Sequence, residues 1–157
     1  MSMKLYLVQH AKSKRKEEDP SRPLSERGWE DIRKMAKYAE EYLHIKVNRI
    51  VHSGKLRAKQ TAEVLAEHLH PAKGVMAAEG LEPLDEPKPW KSRVAETTEN
   101  LMIVGHLPHL SKLAGHLFTG DEGKKVLTFR MGGIACLERD ESGSWTVQWM
   151  ITPEIMP

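Results

Sequence analysis

Three short apolar runs in this chain each end beside a histidine. Leu5-Tyr6-Leu7-Val8 leads into Gln9-His10, Arg49-Ile50-Val51 into His52-Ser53, and Leu101-Met102-Ile103-Val104 into Gly105-His106. Runs of this length read as buried strands, and in an open parallel sheet the carboxyl ends of the strands share one edge. The three turns therefore fall in a single cleft. Arg57 lies in the first turn of the helix expected after Ser53, and Arg22 just precedes a helix expected to open at Ser25. Helix N-termini add amide donors and positive dipole ends to the same cleft. Imidazoles, guanidiniums and N–H groups together suit a dianionic phosphoryl group.

The chemistry such a set can perform is phosphoryl transfer. A neutral His10 attacks phosphorus through one ring nitrogen, provided the other donates to a backbone carbonyl and so fixes the tautomer. Arg57, His106 and backbone amides then stabilise charge on the transferring oxygens. An alkoxide leaving group also needs a general acid, whereas an imidazole departs readily once protonated. The carboxyls on offer are Glu79, Glu82 and Asp85, in a stretch punctuated by Pro71, Gly74, Gly80, Pro83, Pro87 and Pro89; they read as loop-surface charges. Gln9, beside the nucleophile, supplies a neutral amide.

The remaining histidines read differently. His44, His68, His70 and His116 fall on helix surfaces or ends. A metal site built on His106-x-x-His109 with His116 lacks convergent ligands, since with Pro108 opening a helix only His109 and His116 lie on it, far apart. No metal and no cofactor are expected.

The elements that must position these groups alternate strand with helix. Lys4 to Gln9 is the first strand, and a polar, mobile loop from Lys12 to Asp19 follows. Ser25 caps a helix in which Trp29, Ile32, Ala36, Ala39 and Leu43 recur at three- and four-residue steps. Arg49 to His52 is the second strand, and Ser53 is expected to cap a helix with Ala58, Ala62, Leu65 and Leu69 inward. A short strand near Val75 and a helix over Trp90 to Glu99 precede the third clear strand, Asn100 to Gly105. Pro108 suits the first position of a helix to about Phe118. Val126 to Phe129, Ile134 to Leu137 and Trp145 to Ile151 then read as strands, the last two joined through Asp140-Glu141-Ser142-Gly143 as an edge hairpin. The fold class is α/β: three layers, a mostly parallel sheet with helices on both faces and an antiparallel C-terminal edge.

Composition bounds the remaining possibilities. The chain has 157 residues, enough for one domain with a real core, expected to span residues 1–157. A formal charge of +2 gives no global field for nucleic acid. The single cysteine, Cys136, excludes an intramolecular disulfide and a cysteine-based zinc site, and reads as an inert buried thiol. No apolar run spans a bilayer and no signal-peptide pattern precedes the first strand, so a cytoplasmic protein with no membrane partner is expected.

Four separated segments resemble the histidine phosphatase superfamily, and within it the small SixA-like phosphohistidine phosphatase branch. They are Leu7-Val8-Gln9-His10-Ala11-Lys12-Ser13, Asp19 to Gly28, Val51 to Ala62, and Ile103-Val104-Gly105-His106-Leu107-Pro108, in that order. The resemblance implies a phosphoglycerate mutase-like α/β/α phosphatase that works without a metal through a phosphohistidine intermediate. It implies that His10 is the nucleophile, Arg57 a phosphate-binding arginine, His106 the second core histidine and Arg22 an arginine at the pocket mouth. Gln9 departs from the pattern, which has an arginine there as a further phosphate ligand. The implied substrate is a phosphohistidine-bearing signalling or phosphotransfer protein; the alternatives are a small phosphomonoester, or a phosphate-binding module whose turnover Gln9 has weakened.

Overall fold

The computed structural model describes residues 2–157. Its sheet has six strands: β1 (Met3–Gln9), β2 (Arg49–His52), β3 (Val75–Ala77), β4 (Leu101–Gly105), β5 (Ile134–Arg139) and β6 (Trp145–Ile151). Their spatial order is β3-β2-β4-β1-β5-β6. The first four are parallel to one another, while β5 runs antiparallel to β1 and β6 antiparallel to β5. The expected antiparallel edge is thus present, with Asp140–Ser144 as its turn.

Alternation along the central strands explains why helices cover both faces. Tyr6, Val8, Ile50, Met102, Val104, Ile134 and Cys136 pack on one side against α1 (Glu26–Tyr38) and α2 (Leu56–Leu69), through Ile32, Met35, Ala36, Ala58, Ala62 and Leu65. Leu5, Leu7, Val51, Leu101, Ile103, Ala135 and Leu137 pack on the other against α3 (Lys88–Glu96) and α4 (His109–Thr119), through Trp90, Val94, Leu110, Leu113 and Ala114. Both faces of β4 are buried along its whole length, which is why it reads as a continuous apolar run.

Local chemistry sets the helix boundaries. Ser25 caps α1 as expected, its Oγ accepting from the Gly28 N–H at 3.1 Å. The helix then widens into a π turn over Ala39–Leu43 and stops at His44, which takes the left-handed conformation. Three expectations are corrected. Ser53 does not cap α2, because the helix begins two residues later with Lys55 at its cap position, leaving the Ser53 hydroxyl free for another partner. Pro108 occupies the cap position of α4, and the helix starts at His109.

The third correction is that Val126–Phe129 forms no strand. Both edges of β1 are already taken by β4 and β5, so this segment buries Phe129, with Val126 and Leu127 partly buried, on the α3/α4 side instead. It is drawn across α4 at Gly115, where a Cβ would meet the Lys124 carbonyl oxygen at 2.5 Å. Beyond it, Met131 bridges back to Gln9 and the Gly132 N–H donates to the Gln9 carbonyl at 2.9 Å.

Candidate phosphoryl-binding site

The carboxyl ends of β1, β2 and β4 bring His10, Ser53 and His106 to one edge, with α2 starting from the same place. The His10 backbone N–H donates to the Gly105 carbonyl at 3.0 Å, which locks the end of β1 to the end of β4. The two imidazoles consequently lie with ring centroids 5.0 Å apart at an angle of 51°.

His10 is 8% exposed, and its Nδ1 lies 2.7 Å from the Ala11 carbonyl oxygen. A carbonyl only accepts, so Nδ1 carries the proton and the lone pair sits on Nε2. Burial pushes the His10 pKa down to about 4, and the Arg57 and Arg22 guanidiniums push the same way against the opposing pull of the Ala11 carbonyl. The ring is neutral at neutral pH. His106 is 1% exposed and lowered to about 3, first by burial, then by His10, Arg57, Lys55 and His109. Its Nε2 lies 2.6 Å from Ser53 Oγ.

The turn carrying His10 is held from α2. Thr61, fully buried, accepts from the Ala11 N–H at 3.0 Å through Oγ1 and donates to the Arg57 carbonyl at 2.7 Å. One hydroxyl therefore couples Ala11, whose carbonyl fixes the His10 tautomer, to the backbone of Arg57. Thr61 was not singled out from the sequence; the available signal was a threonine four residues after Arg57, the spacing at which a helical hydroxyl reaches back to a carbonyl.

The loop after His10, expected to be mobile, is tied down at its base. Lys14 donates to the Pro23 carbonyl, Ser13 and Leu24 form a bridge, and Leu24 donates to the Gln60 side chain at 2.8 Å. Ser25 N–H and Oγ both donate to the Lys12 carbonyl, and a Cβ at Gly28 would stand 2.0 Å from that oxygen. Only glycine lets α1 approach so closely. Arg22, at φ 49°, folds its guanidinium onto Ser13 Oγ at 2.9 Å and the Lys14 carbonyl at 3.2 Å. It acts on the site as a nearby charge, lowering both His10 and Arg57.

Three polar atoms at this edge are buried with no partner among the described residues: Gln9 Oε1, Arg57 Nε and His106 Nδ1. Buried polar groups are almost always paired, so an uncompensated set at one sheet edge points to a ligand with several hydrogen-bonding atoms. A phosphoryl group accepts from Arg57 Nε–H, and an amide placed like that of Gln9 offers either a donor or an acceptor.

Gln9 also lines a cleft of about 440 Å³ with Lys12, Arg27, Leu107 and Arg130, on the β5 side. Glu79, Glu82 and Asp85 line a second cleft with Ser53, on the β3 side. Glu82 is paired with Lys55 at 3.1 Å, and Asp85 accepts from the Glu82 N–H at 2.8 Å. Among the described residues no group of three or more His, Cys, Asp or Glu side chains is placed to hold a metal ion. His109 is fully buried, and His116 faces Glu122 at 3.6 Å. Cys136 is buried, with burial raising its thiol to about 11. No helix among the described residues is long and apolar enough to cross a membrane.

Comparison with known proteins agrees with this geometry. The family model of the histidine phosphatase superfamily (branch 1) matches residues 5–88. Phosphohistidine phosphatase SixA of Escherichia coli (strain K12) is 26% identical over 139 residues, covering 86% of this chain and 84% of that protein. A solved structure of the protein histidine phosphatase SixA complexed with tungstate superposes with a TM-score of 0.84 at 24% identity, over 96% of this chain and 97% of that one. The alpha-ribazole phosphatase from Shigella flexneri superposes with a TM-score of 0.79 at 14% identity, over 96% and 97%. The α/β architecture with its antiparallel edge is shared with these neighbours, and the match over more than half of the sequence means that the chain belongs to the histidine phosphatase superfamily.

Proposed function

We propose that the protein is a metal-independent phosphatase acting on phosphohistidine in a signalling or phosphotransfer protein. The observation that carries this reading is the neutral His10, its Nδ1 held by the Ala11 carbonyl and its Nε2 left with the lone pair, set beside Arg57 and His106. In the first step a bond forms between His10 Nε2 and phosphorus while the P–N bond of the substrate breaks, and the departing imidazole takes up a proton. In the second, water attacks phosphorus, the phospho-His10 bond breaks, and inorganic phosphate and free His10 result. Arg57, with His106, stabilises charge on the equatorial oxygens in both steps, and Gln9 and Arg22 contribute to binding.

The named relative is a phosphohistidine phosphatase and a solved one holds tungstate, a tetrahedral oxyanion; both support the reading. Of the loop acids, Glu82 is engaged by Lys55 and Asp85 by a backbone amide. Glu79, which lines the same cleft as Ser53, is the acid that turnover of a small phosphomonoester would call on, so a comparison of substrates decides between the two readings.

The test is release of phosphate from a phosphohistidine protein and from sugar phosphates by the parent and by His10→Ala. Turnover of the phosphoprotein, with a phosphoenzyme trapped on the parent and both lost on substitution, is expected. Equal turnover by His10→Ala refutes the mechanism; faster turnover of sugar phosphates refutes the substrate class. Phosphate-dependent thermal stabilisation without any phosphoenzyme would make the protein a binding module instead.

A further inference from the structure

Ser53 has a role that its place in the sequence does not announce. Its Oγ lies 2.6 Å from His106 Nε2 and accepts from the Lys55 N–H at 3.3 Å. Its backbone is fixed on the other side by the next residue, since Gly54 N–H donates to His52 Nδ1 at 3.0 Å. Nδ1 of His106 is buried with no partner among the described residues.

A neutral imidazole carries one proton, and the hydrogen bond at one nitrogen decides which nitrogen holds it. With the proton on Nε2, two N–H groups would converge on a single hydroxyl oxygen, and the hydroxyl proton would find no acceptor in the protein. With the proton on Nδ1, the hydroxyl accepts from Lys55 and donates to Nε2, so both of its functions are used. The second arrangement leaves an unpaired N–H at Nδ1, a second such donor beside Arg57 Nε–H in the site, where the Arg57 charge acts on His106. Phosphoryl oxygens only accept, so this is the tautomer able to serve them.

We propose that Ser53 is a positioning residue that holds His106 in the Nδ1–H tautomer. The proposal rests on the phosphatase reading for its catalytic consequence, while the tautomer itself is measurable without substrate. The experiment records the ¹⁵N shifts of the His106 ring at pH 7 in parent, Ser53→Ala and Ser53→Thr proteins, with kcat/KM on a phosphohistidine protein alongside. The parent is expected to show a pyrrole-type Nδ1 and a pyridine-type Nε2. Ser53→Ala is expected to mix the tautomers and lower kcat/KM by about tenfold, and Ser53→Thr, which keeps the hydroxyl, to retain both properties. A pyrrole-type Nε2 in the parent, or unchanged His106 shifts in Ser53→Ala, overturns the proposal. If Ser53→Ala does not fold, the parent spectrum decides alone. Loss of the phosphatase reading would appear separately, as an inactive parent with the predicted tautomer.

Discussion

Replacing Thr61 by valine isolates the coupling between α2 and the turn that carries His10. Valine keeps the shape of threonine but has no hydroxyl, so the two bonds at 3.0 Å to Ala11 N–H and 2.7 Å to the Arg57 carbonyl disappear without a cavity. The Arg57 carbonyl sits in the first turn of α2 and keeps its helical partner, whereas the Ala11 N–H, in a fully buried residue, loses its only one. An orphaned buried donor costs about 1–3 kcal/mol. For a chain of this size each kcal/mol moves Tm by roughly 2–4 °C, so a fall of about 2–12 °C is expected by calorimetry. The carbonyl that holds His10 Nδ1 belongs to the same residue, Ala11, so loosening its backbone also lets the imidazole rotate. A fall in kcat of about tenfold with little change in KM should accompany the lower Tm, read with saturating phosphohistidine protein below the transition. A parental Tm and parental kcat in Thr61→Val would show that the turn needs no support from α2.

Other expectations concern charge. With His10 lowered to about 4 and His106 to about 3, kcat/KM should stay level from pH 8 down to about pH 5 and decline only as His10 protonates, rather than near the ordinary imidazole value of about 6.5; a pH–rate profile with its limb near 6.5 would contradict burial of the ring. Stability follows in sign: unfolded histidines bind protons from about pH 6.5 downward while the folded ones resist, so stability falls as pH drops from about 6.5 through 4, and His10→Gln should flatten the fall in Tm across that range. Gln9→Arg should raise the rate of phosphoenzyme formation on the order of tenfold, because a charged fork replaces a neutral amide whose oxygen is buried and unpaired. A lower rate would show that the cleft, where Arg27 is paired with Asp31 at 3.0 Å and Lys12 and Arg130 stand with Glu154, is fitted to the amide rather than to a further guanidinium.

Much of the architecture was legible because it depends on short-range pattern. The apolar runs at β1, β2 and β4, the three- and four-residue spacing in α1 and α2, and the Ser25 cap are each dictated by which side chains can be buried and which amides need partners. Parallel strands with polar carboxyl ends then bring His10, Arg57 and His106 to one edge, and this too follows from chain order.

What tertiary structure alone decided are choices among equally plausible local partners. Ser53 could cap a helix or hold a histidine, and only the 2.6 Å approach of His106 from β4 selects the second. Val126–Phe129 has the composition of a strand, yet the edges of β1 are occupied and α4 offers an apolar surface, so burial wins over ladder formation. The loop after Lys12 is polar throughout, but backbone bonds to Pro23 and Ser25 close it and the Leu24 N–H, donating to the Gln60 side chain, anchors its far end; no composition predicts those pairings. The sequence by itself determined which residues have the chemistry for phosphoryl transfer and which strand ends carry them. Only the packed structure decided the protonation, tautomer and support of each, because those depend on desolvation and on side-chain hydrogen-bond partners 50 and 53 residues apart in the chain.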